Sequence, residues 1–260
     1  MSQPLVAFNQ LSVAFQGEQG RVRAVQQVSF DLYAGQTLGV VGESGCGKSV
    51  TAMALMGLLP QPLAQIDGGE IHFDGQDLLK LRPQQMADLR GNRLAMIFQE
   101  PMSALNPVLT IGEQLVEPLI RHRGTAPKAA WREATALITE VGLARAEQLM
   151  TSYPHQLSGG MLQRIMIAMA ISCRPALLIA DEPTTALDVT VQAQILALLR
   201  EQARKHNMAM MLITHDLGVI AQMADRLVVM YAGRIVEQGA THEVLTNPQH
   251  PYTQLSLIHI

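Results

Sequence analysis

The sequence predicts an α/β fold in which a mostly parallel sheet is covered by helices on both faces. Strand-like apolar runs alternate with helical patterns along the chain, and residues 176–180 are apolar throughout, as expected of a central parallel strand. A glycine-rich turn also joins a short buried strand, residues 36–41, to a helix, residues 50–59, which ends at Pro60.

The other segments fit this alternation. The remaining predicted strands are residues 5–15, 22–32, 69–73, 94–98, 208–214, 227–231 and 234–237, with turns at 17–20, 74–75 and 232–233. The remaining predicted helices are residues 83–90, 111–121, 128–141, 191–205 and 219–224. Helical patterns from about residue 100 to 156 interrupt the strands, which indicates an inserted helical subdomain. The only tryptophan, Trp131, lies there and is expected to pack a helix.

Composition narrows the functional class. Apolar residues make up 48% of the 260 residues and charged residues 16%, which is typical of a globular protein. The net charge of −3 gives no electrostatic footprint for nucleic acid. Two cysteines predict no disulfide framework and favour a reducing cytoplasmic setting. Neither a signal peptide nor an apolar run of roughly 18 residues is expected.

Residues 42–49 fit the phosphate-loop pattern of Gly, four residues, then Gly-Lys-Ser. Glycines let successive N–H groups face a phosphate, the following helix adds its N-terminal partial charge, and Lys48 would reach the β- and γ-phosphates. The alternative is a glycine-rich turn with an unrelated lysine, which the flanking strand and helix disfavour. The residues assigned to nucleotide here are Gly42, Glu43, Ser44, Gly45, Cys46, Gly47, Lys48, Ser49 and Val50.

Two adjacent acids, Asp181 and Glu182, end the apolar strand that begins near residue 177. In a phosphate-loop enzyme the first acid orients Mg²⁺, which the Ser49 hydroxyl also ligates, and the second polarises the attacking water. The alternative is a strand that simply emerges into a polar loop. The phosphate loop favours the catalytic interpretation, because buried carboxylates are costly without a metal or hydrogen bonds.

A second glycine motif, Ser158-Gly159-Gly160, precedes an apolar helix. Ser158 is a natural N-cap, and the glycines would let a phosphate approach closely. Leu-Ser-Gly-Gly, followed about twenty residues later by a strand ending in Asp-Glu, resembles the ATP-binding cassette (ABC) ATPases. The resemblance implies one nucleotide-binding domain over residues 1–260: a RecA-like P-loop NTPase core with an antiparallel β subdomain and an inserted α-helical subdomain.

The resemblance also implies roles for further residues. Gln99 matches the family's glutamine loop, which senses Mg²⁺ and the attacking water, and His215 matches the switch histidine that contacts the γ-phosphate. Residues 186–188, Ala-Leu-Asp, match the loop that crosses the dimer interface, which adds Asp188 to the nucleotide site. Phe15 is the aromatic residue expected to stack on adenine. The implied catalytic residues are Glu182, His215, Gln99 and Lys48.

The same resemblance implies partners. Two such chains, identical or different, would stack head to tail, so that each ATP with its Mg²⁺ lies between Lys48 of one chain and Ser158 of the other. They would drive two membrane-spanning permease subunits from the cytoplasmic face of the inner membrane. A periplasmic binding protein would deliver the cargo, and no nucleic acid is involved.

Several local sequences resemble the peptide and nickel importer ATPases. They are Met161 after Ser-Gly-Gly, Thr184-Thr185 after Asp-Glu-Pro, residues 100–107 after the glutamine loop, and residues 250–253, His-Pro-Tyr-Thr. Leu162-Gln163-Arg164 is closer to nickel-type members. Relatives continue well past His-Pro-Tyr-Thr, so a tail truncated from about residue 246, with non-native final residues, is expected.

Two other classes compete. A cassette ATPase of DNA repair or translation would carry a coiled-coil insert or two cassettes with a charged linker, and neither is present in the sequence. An unrelated phosphate-loop kinase or GTPase would not explain Ser158-Gly159-Gly160 or His215.

Overall fold

The computed structural model describes residues 3–17, 20–185 and 187–258. These residues form two compact units, one containing residues up to 87 and from 209 onward, the other residues 88–208. The strands are β1 (Val6–Gly17), β2 (Gly20–Leu32), β3 (Thr37–Val41), β4 (Ala64–Phe73), β5 (Gln76–Asp77), β6 (Leu94–Ile97), β7 (Leu177–Asp181), β8 (Ala209–Ile213), β9 (Arg226–Tyr231) and β10 (Arg234–Ala240). The α-helices are α1 (Lys48–Met56), α2 (Pro83–Leu89), α3 (Pro101–Ala104), α4 (Ile111–Arg123), α5 (Pro127–Glu140), α6 (Ala146–Met150), α7 (Gly159–Ile171), α8 (Val189–Lys205), α9 (Leu217–Met223), α10 (Thr241–Thr246) and α11 (Pro251–Ile258).

An antiparallel sheet in the first unit has the strand order β2-β1-β4-β5. The inward residues of β1 are buried, and the ring of Phe8 stacks on that of Phe30 with centroids 4.4 Å apart. The predicted turn between β4 and β5 is confirmed: Asp74 and Gly75 both have positive φ, 52° and 78°. This sheet agrees with the antiparallel subdomain that the family resemblance implies.

Strand β3 lies between β8 and β9 and runs parallel to both, as predicted for the core. Strand β10 returns antiparallel to β9 through the predicted turn at residues 232–233. Helix α9 packs directly on β3: a Cβ added to Gly39 would lie 2.7 Å from Cδ1 of Ile220. The end of β3, where the phosphate loop begins, is therefore held by neighbours on both edges and by a helix on one face.

In the second unit, β6 and β7 pair in parallel, and the chain between them is helical from α3 to α7. Helix α4 begins with a capping box in which Thr110 and Glu113 bond each other's backbone N–H. The indole of Trp131 on α5 packs against α4, since a Cβ added to Gly112 would lie 2.6 Å from the ring. Trp131 therefore packs a helix, as expected.

The structure differs from the sequence prediction at several boundaries. Helix α1 begins two residues earlier, at Lys48, because Gly47 has the left-handed conformation that ends the loop. Helices α10 and α11 were not predicted. Glu18 and Gln19 of the expected turn lie outside the described residues. Over the described part of the chain, no helix has the length and apolar character needed to cross a membrane.

The contact between Gly112 and Trp131 predicts the effect of one methyl group. Gly112→Ala should lower the free energy of unfolding by about 1–3 kcal/mol, because the new Cβ overlaps the indole and the Met150 carbonyl. Urea unfolding followed by circular dichroism and by the fluorescence of Trp131 measures this. Gly68→Ala is the control, because nothing lies within 4 Å of its added Cβ. Equal shifts of the two midpoints would contradict the packing argument.

Candidate functional site

The loop between β3 and α1 has a backbone that only glycine tolerates at two points. Gly42 has φ 152°, and a Cβ there would lie 2.2 Å from the Met230 carbonyl oxygen. Gly47 has φ 103°, and its Cβ would lie 2.5 Å from the Ala24 carbonyl oxygen. Strands β2 and β9 therefore press on both ends of the loop. The loop curves as the phosphate-loop motif predicts, because its neighbours leave no room for a Cβ at residues 42 and 47.

Lys48 is the first residue of α1 and is only 5% exposed. Its ammonium Nζ donates to the carbonyl oxygens of Gly42, at 2.7 Å, and Glu43, at 2.9 Å. Nζ also lies 3.9 Å from Sγ of Cys46. Burial raises the pKa of the Cys46 thiol, and the Lys48 charge opposes that rise. A buried ammonium on two neutral carbonyls can exchange them for phosphate oxygens, which carry charge.

Ser44 and Gly45 are exposed in the loop, and Ser49 and Val50 are half-buried in the first turn of α1. That first turn carries no acidic residue. The N–H groups and partial positive charge of the helix N-terminus therefore face the loop without a competing carboxylate. The loop residues thus form one anion cradle.

His215 follows β8 and is exposed. It lines a cavity of about 140 Å³ together with Gly42 and Glu43, which begin the phosphate loop, and with Leu217 and Tyr252. The structure therefore brings the predicted switch histidine to the loop. Phe15 is half-buried on β1, where it pairs with Val22 of β2 and Ala64 of β4. Its adenine contact stays a prediction.

In the second unit, Asp181 is the last residue of β7 and is 5% exposed. Glu182 follows with φ 46°, a left-handed conformation that turns the chain sharply away from the strand. One oxygen of its carboxylate, Oε2, accepts hydrogen bonds from Thr185 Oγ1 at 2.8 Å and from Gln99 Nε2 at 3.3 Å. The structure thus joins two predicted catalytic residues, Gln99 and Glu182.

Thr185 was not predicted to act in the site. The sequence singled it out only as part of the subfamily pattern. The signal that could have identified Thr185 is its position three residues after Glu182, where the strand ends. A tight turn at such a spacing folds the hydroxyl back onto the carboxylate. Here the backbone N–H of Thr185 donates to the Glu182 carbonyl at 3.2 Å and closes that turn.

Ser158, Gly159 and Gly160 open the buried helix α7. Ser158 occupies the N-cap position, but its side chain makes no capping hydrogen bond, which corrects the capping role expected for it. Ser158 and Gly159 are exposed, and nothing lies within 4 Å of a Cβ added to Gly159. Gly160 is tighter, with its added Cβ 3.2 Å from Cγ1 of Val191. This leaves an open helix N-terminus with no acidic residue in its first turn.

Asp188 has a structural partner. Its Oδ1 accepts the backbone N–H of Val191 at 2.9 Å and caps α8. Ala186, in the same predicted interface loop, lies outside the described residues.

Tyr252 contacts the phosphate loop, and the sequence did not predict this contact. Its hydroxyl accepts the backbone N–H of Glu43 at 3.0 Å, and its ring lies 4.7 Å from that of Tyr231, centroid to centroid. Residues 250–253 attracted notice only as a subfamily pattern. No local signal could place a residue 209 positions away against the phosphate loop.

The donor set suits a nucleotide with a hard cation. The first unit offers a curved loop of N–H groups, a buried ammonium and a serine hydroxyl. The second offers a buried carboxylate, Asp181, and an oriented one, Glu182. Hydroxyl, carboxylate and amide oxygens are the ligands that Mg²⁺ prefers, so Ser49 in the first unit, and Asp181 and Gln99 in the second, are each of a type that suits that ion.

Comparison with known proteins agrees with this chemistry. The sequence profile of the family described as "ABC transporter" matches residues 25–185. The dipeptide transport ATP-binding protein DppD of Bacillus subtilis (strain 168) is 52% identical over 250 residues, which are 96% of this chain and 75% of that protein. The oligopeptide transport ATP-binding protein AppD of the same organism is 49% identical over 96% of this chain and 76% of its own length.

A solved structure has the same fold. The ATP-binding cassette MJ0796, in a dimeric post-hydrolysis state bound to ADP and Pi, superimposes with a TM-score of 0.81 at 24% identity. The match covers 91% of this chain and 98% of that one. The predicted P-loop NTPase fold is therefore confirmed.

Two glycines of the loop with positive φ, Gly47 and Gly45, should respond differently to substitution by alanine. Gly47→Ala should abolish measurable nucleotide binding, because its Cβ meets the Ala24 carbonyl and displaces the residue that precedes Lys48. Gly45→Ala also has a positive φ, 80°, but its Cβ meets nothing within 4 Å. Gly45→Ala should therefore weaken nucleotide binding by only about 1 kcal/mol, the cost of a Cβ at positive φ. Titration with a fluorescent ATP analogue distinguishes them, and equal loss of affinity in both variants would contradict the collision argument.

Proposed function

The chain belongs to the ATP-binding cassette (ABC) transporter family, and on this premise we propose that it is the ATP-hydrolysing subunit of an importer of dipeptides or oligopeptides. The observation that carries the proposal is the 52% identity to a dipeptide transport ATP-binding protein over 96% of this chain. The oligopeptide relative supports the same substrate class. A repair or translation ATPase finds no support among these relatives.

Nickel is the alternative cargo, suggested by Leu162-Gln163-Arg164. The structure offers another explanation for this sequence. Leu162 and Gln163 are each 2% exposed, and Arg164 donates to the Val141 carbonyl at 2.6 Å and to Gln194 Oε1 at 2.8 Å. Packing within the second unit can therefore decide these residues, so they carry little information on cargo.

In this proposal the first unit binds the phosphates of ATP. The N–H groups of the phosphate loop and α1 cradle them, and Lys48 exchanges the carbonyls of Gly42 and Glu43 for phosphate oxygens. His215, at the entrance of the loop, contacts the γ-phosphate. Phe15 stacks on adenine. The loop N–H groups, Lys48 and His215 stabilise the charge that develops on the transferred phosphoryl group.

The second unit positions the water. Glu182 accepts a proton from the attacking water, and its carboxylate is oriented for this by Thr185 and Gln99. Asp181, Ser49 and Gln99 would hold Mg²⁺, which would supply positive charge at the phosphates. The left-handed backbone at Glu182 turns the chain away from the strand at this residue.

The dimer and its partners follow from the motifs. The chain has one phosphate loop and one Ser-Gly-Gly, so we propose that two cassettes, identical or different, stack head to tail. Each ATP then lies between Lys48 of one subunit and the exposed Ser158 at the open N-terminus of α7 in the other, with Asp188 at the interface. Residues 1–260 form one nucleotide-binding domain whose helical subdomain, about residues 100–156, is inserted in the core.

Closure of this dimer drives two membrane-spanning subunits from the cytoplasmic face of the inner membrane. A periplasmic binding protein supplies the cargo to them.

Glu182→Gln tests the proposed general base. Turnover should fall by at least about 100-fold, because the amide cannot accept the proton, while ATP binding persists and ATP-bound dimers accumulate. Phosphate release at saturating ATP and size-exclusion chromatography with ATP measure the two effects. Glu201→Gln, an exposed residue of α8, makes the same chemical change as a control. Near-normal turnover in Glu182→Gln would refute the base assignment.

Transport is tested on the complex isolated from detergent-solubilised membranes. We expect co-purification with two polytopic subunits and, in proteoliposomes with the binding protein, ATP-dependent uptake of labelled dipeptides or oligopeptides. Lys48→Ala should abolish uptake, whereas Lys205→Ala, which removes only a surface ion pair with Glu140, should not. Uptake of Ni²⁺ instead of peptide would replace the cargo assignment, and association with ribosomes or DNA would overturn the transport proposal.

A further inference from the structure

The chain after β10 returns to the phosphate loop. Helix α11 begins at Pro251, and its second residue, Tyr252, lines the cavity that Gly42, Glu43 and His215 also line. The Tyr252 hydroxyl accepts the backbone N–H of Glu43 at 3.0 Å. The contact reaches the backbone of the loop, so it acts on the loop's shape and not on a side chain.

Four further contacts hold Tyr252 and the residues before it in place. The Glu237 carboxylate on β10 accepts the backbone N–H groups of Gln249, at 2.8 Å, and His250, at 3.1 Å. The Tyr252 N–H donates to Nδ1 of His250 at 3.2 Å. The Tyr252 ring packs on Tyr231 of β9. The hydroxyl is therefore presented from a braced segment and not from a loose end.

Charge state supports the same geometry. Partial burial would raise the pKa of Glu237, but the hydrogen bonds from the N–H groups of Gln249 and His250 outweigh burial and lower it. Burial raises the pKa of the Tyr252 phenol. At neutral pH the anchor is thus a carboxylate and the contact to the loop is a neutral hydroxyl.

The backbone of Glu43 is held at both its N–H and its carbonyl. Its N–H is bound by Tyr252, and the Glu43 carbonyl accepts from the Lys48 ammonium at 2.9 Å. Displacement of this residue would therefore move one of the two carbonyls that place Nζ. Tyr252 is two hydrogen bonds from the charge that meets the phosphates.

We propose that Tyr252 is a positioning residue for nucleotide binding, which holds Glu43, and through it Lys48, in the geometry that receives the phosphates of ATP. The inference rests on the proposed role of Lys48 in binding ATP. The His-Pro-Tyr-Thr segment would then contribute to nucleotide binding through Tyr252. Without the hydroxyl, the loop must be ordered by the nucleotide itself, and the ordering reduces affinity.

Tyr252→Phe removes the hydroxyl and keeps the ring that packs on Tyr231. Affinity for ATP, measured by equilibrium binding without turnover, should fall about 3- to 10-fold, the range for one hydrogen bond. The KM for ATP should rise by a similar factor with kcat little changed, because the groups that act on the water are untouched. Amide hydrogen exchange at Glu43, followed without nucleotide, should become faster.

Two variants separate this role from a general stabilising one. Gln254 is also on α11, and its side-chain amide donates to the Pro248 carbonyl at 2.9 Å. Gln254→Ala removes this bond and should leave ATP affinity unchanged. Glu237→Gln weakens the anchor of residues 249 and 250, and should reduce ATP affinity in the same direction as Tyr252→Phe, by a smaller factor.

The outcomes distinguish the inference from the proposed function. If the wild type binds ATP and Tyr252→Phe binds it equally well, or if Glu43 exchange is unchanged, the positioning role is wrong and the ATPase proposal stands. If Gln254→Ala loses as much affinity as Tyr252→Phe, the effect is one of helix docking, and the positioning role is again wrong. If the wild type itself fails to bind ATP, the proposed function falls, and the inference falls with it.

Discussion

The first unit depends on a buried ammonium group. Removing a charge of this kind from water costs several kcal/mol unless other groups solvate it, and here two backbone carbonyls, of Gly42 and Glu43, do so. They can reach Nζ only if the chain curls around it, which requires the left-handed backbone at Gly47. The curl is in turn held by strands β2 and β9, whose carbonyls leave no space for a Cβ at residues 42 and 47. In the proposed function, phosphate binding is an exchange of these carbonyl oxygens for phosphate oxygens around the same charge.

The second unit meets a related constraint at the end of a buried strand. The Asp181 carboxylate is almost fully buried, while the next residue turns sharply and presents a carboxylate that receives two side-chain hydrogen bonds. The left-handed conformation of Glu182 costs about 1–2 kcal/mol for a residue with a Cβ. That cost is consistent with a position selected for where it directs its side chain. Thr185 shares in the orientation of this group, so it has a physical role beyond its place in a family pattern.

Most of the elements could be predicted because their signals are local. The apolar runs of β7 and β8 give strands, and the glycine turns of β5 and β10 give hairpins. The phosphate loop, the strand-end acids and Gln99 lie at or just after the ends of β3, β7 and β6, as the sequence predicted, and their roles stay predictions. Errors arose where a second element decides the outcome. Ser158 stands where a capping residue is expected, yet its side chain makes no capping hydrogen bond. Helices α10 and α11 have only six and eight residues, and the sequence did not predict them.

The sequence by itself determined the family and the two glycine motifs, and it predicted the residues that would carry charge and protons, because each of these signals lies in a short stretch of chain. Only the tertiary structure decided which groups meet. It placed His215 beside the phosphate loop, joined Gln99 to Glu182 across 83 residues, and brought Tyr252 to Glu43 across 209. Such contacts depend on how strands and helices pack, and a hydrogen bond between distant residues leaves no pattern in the spacing of either one.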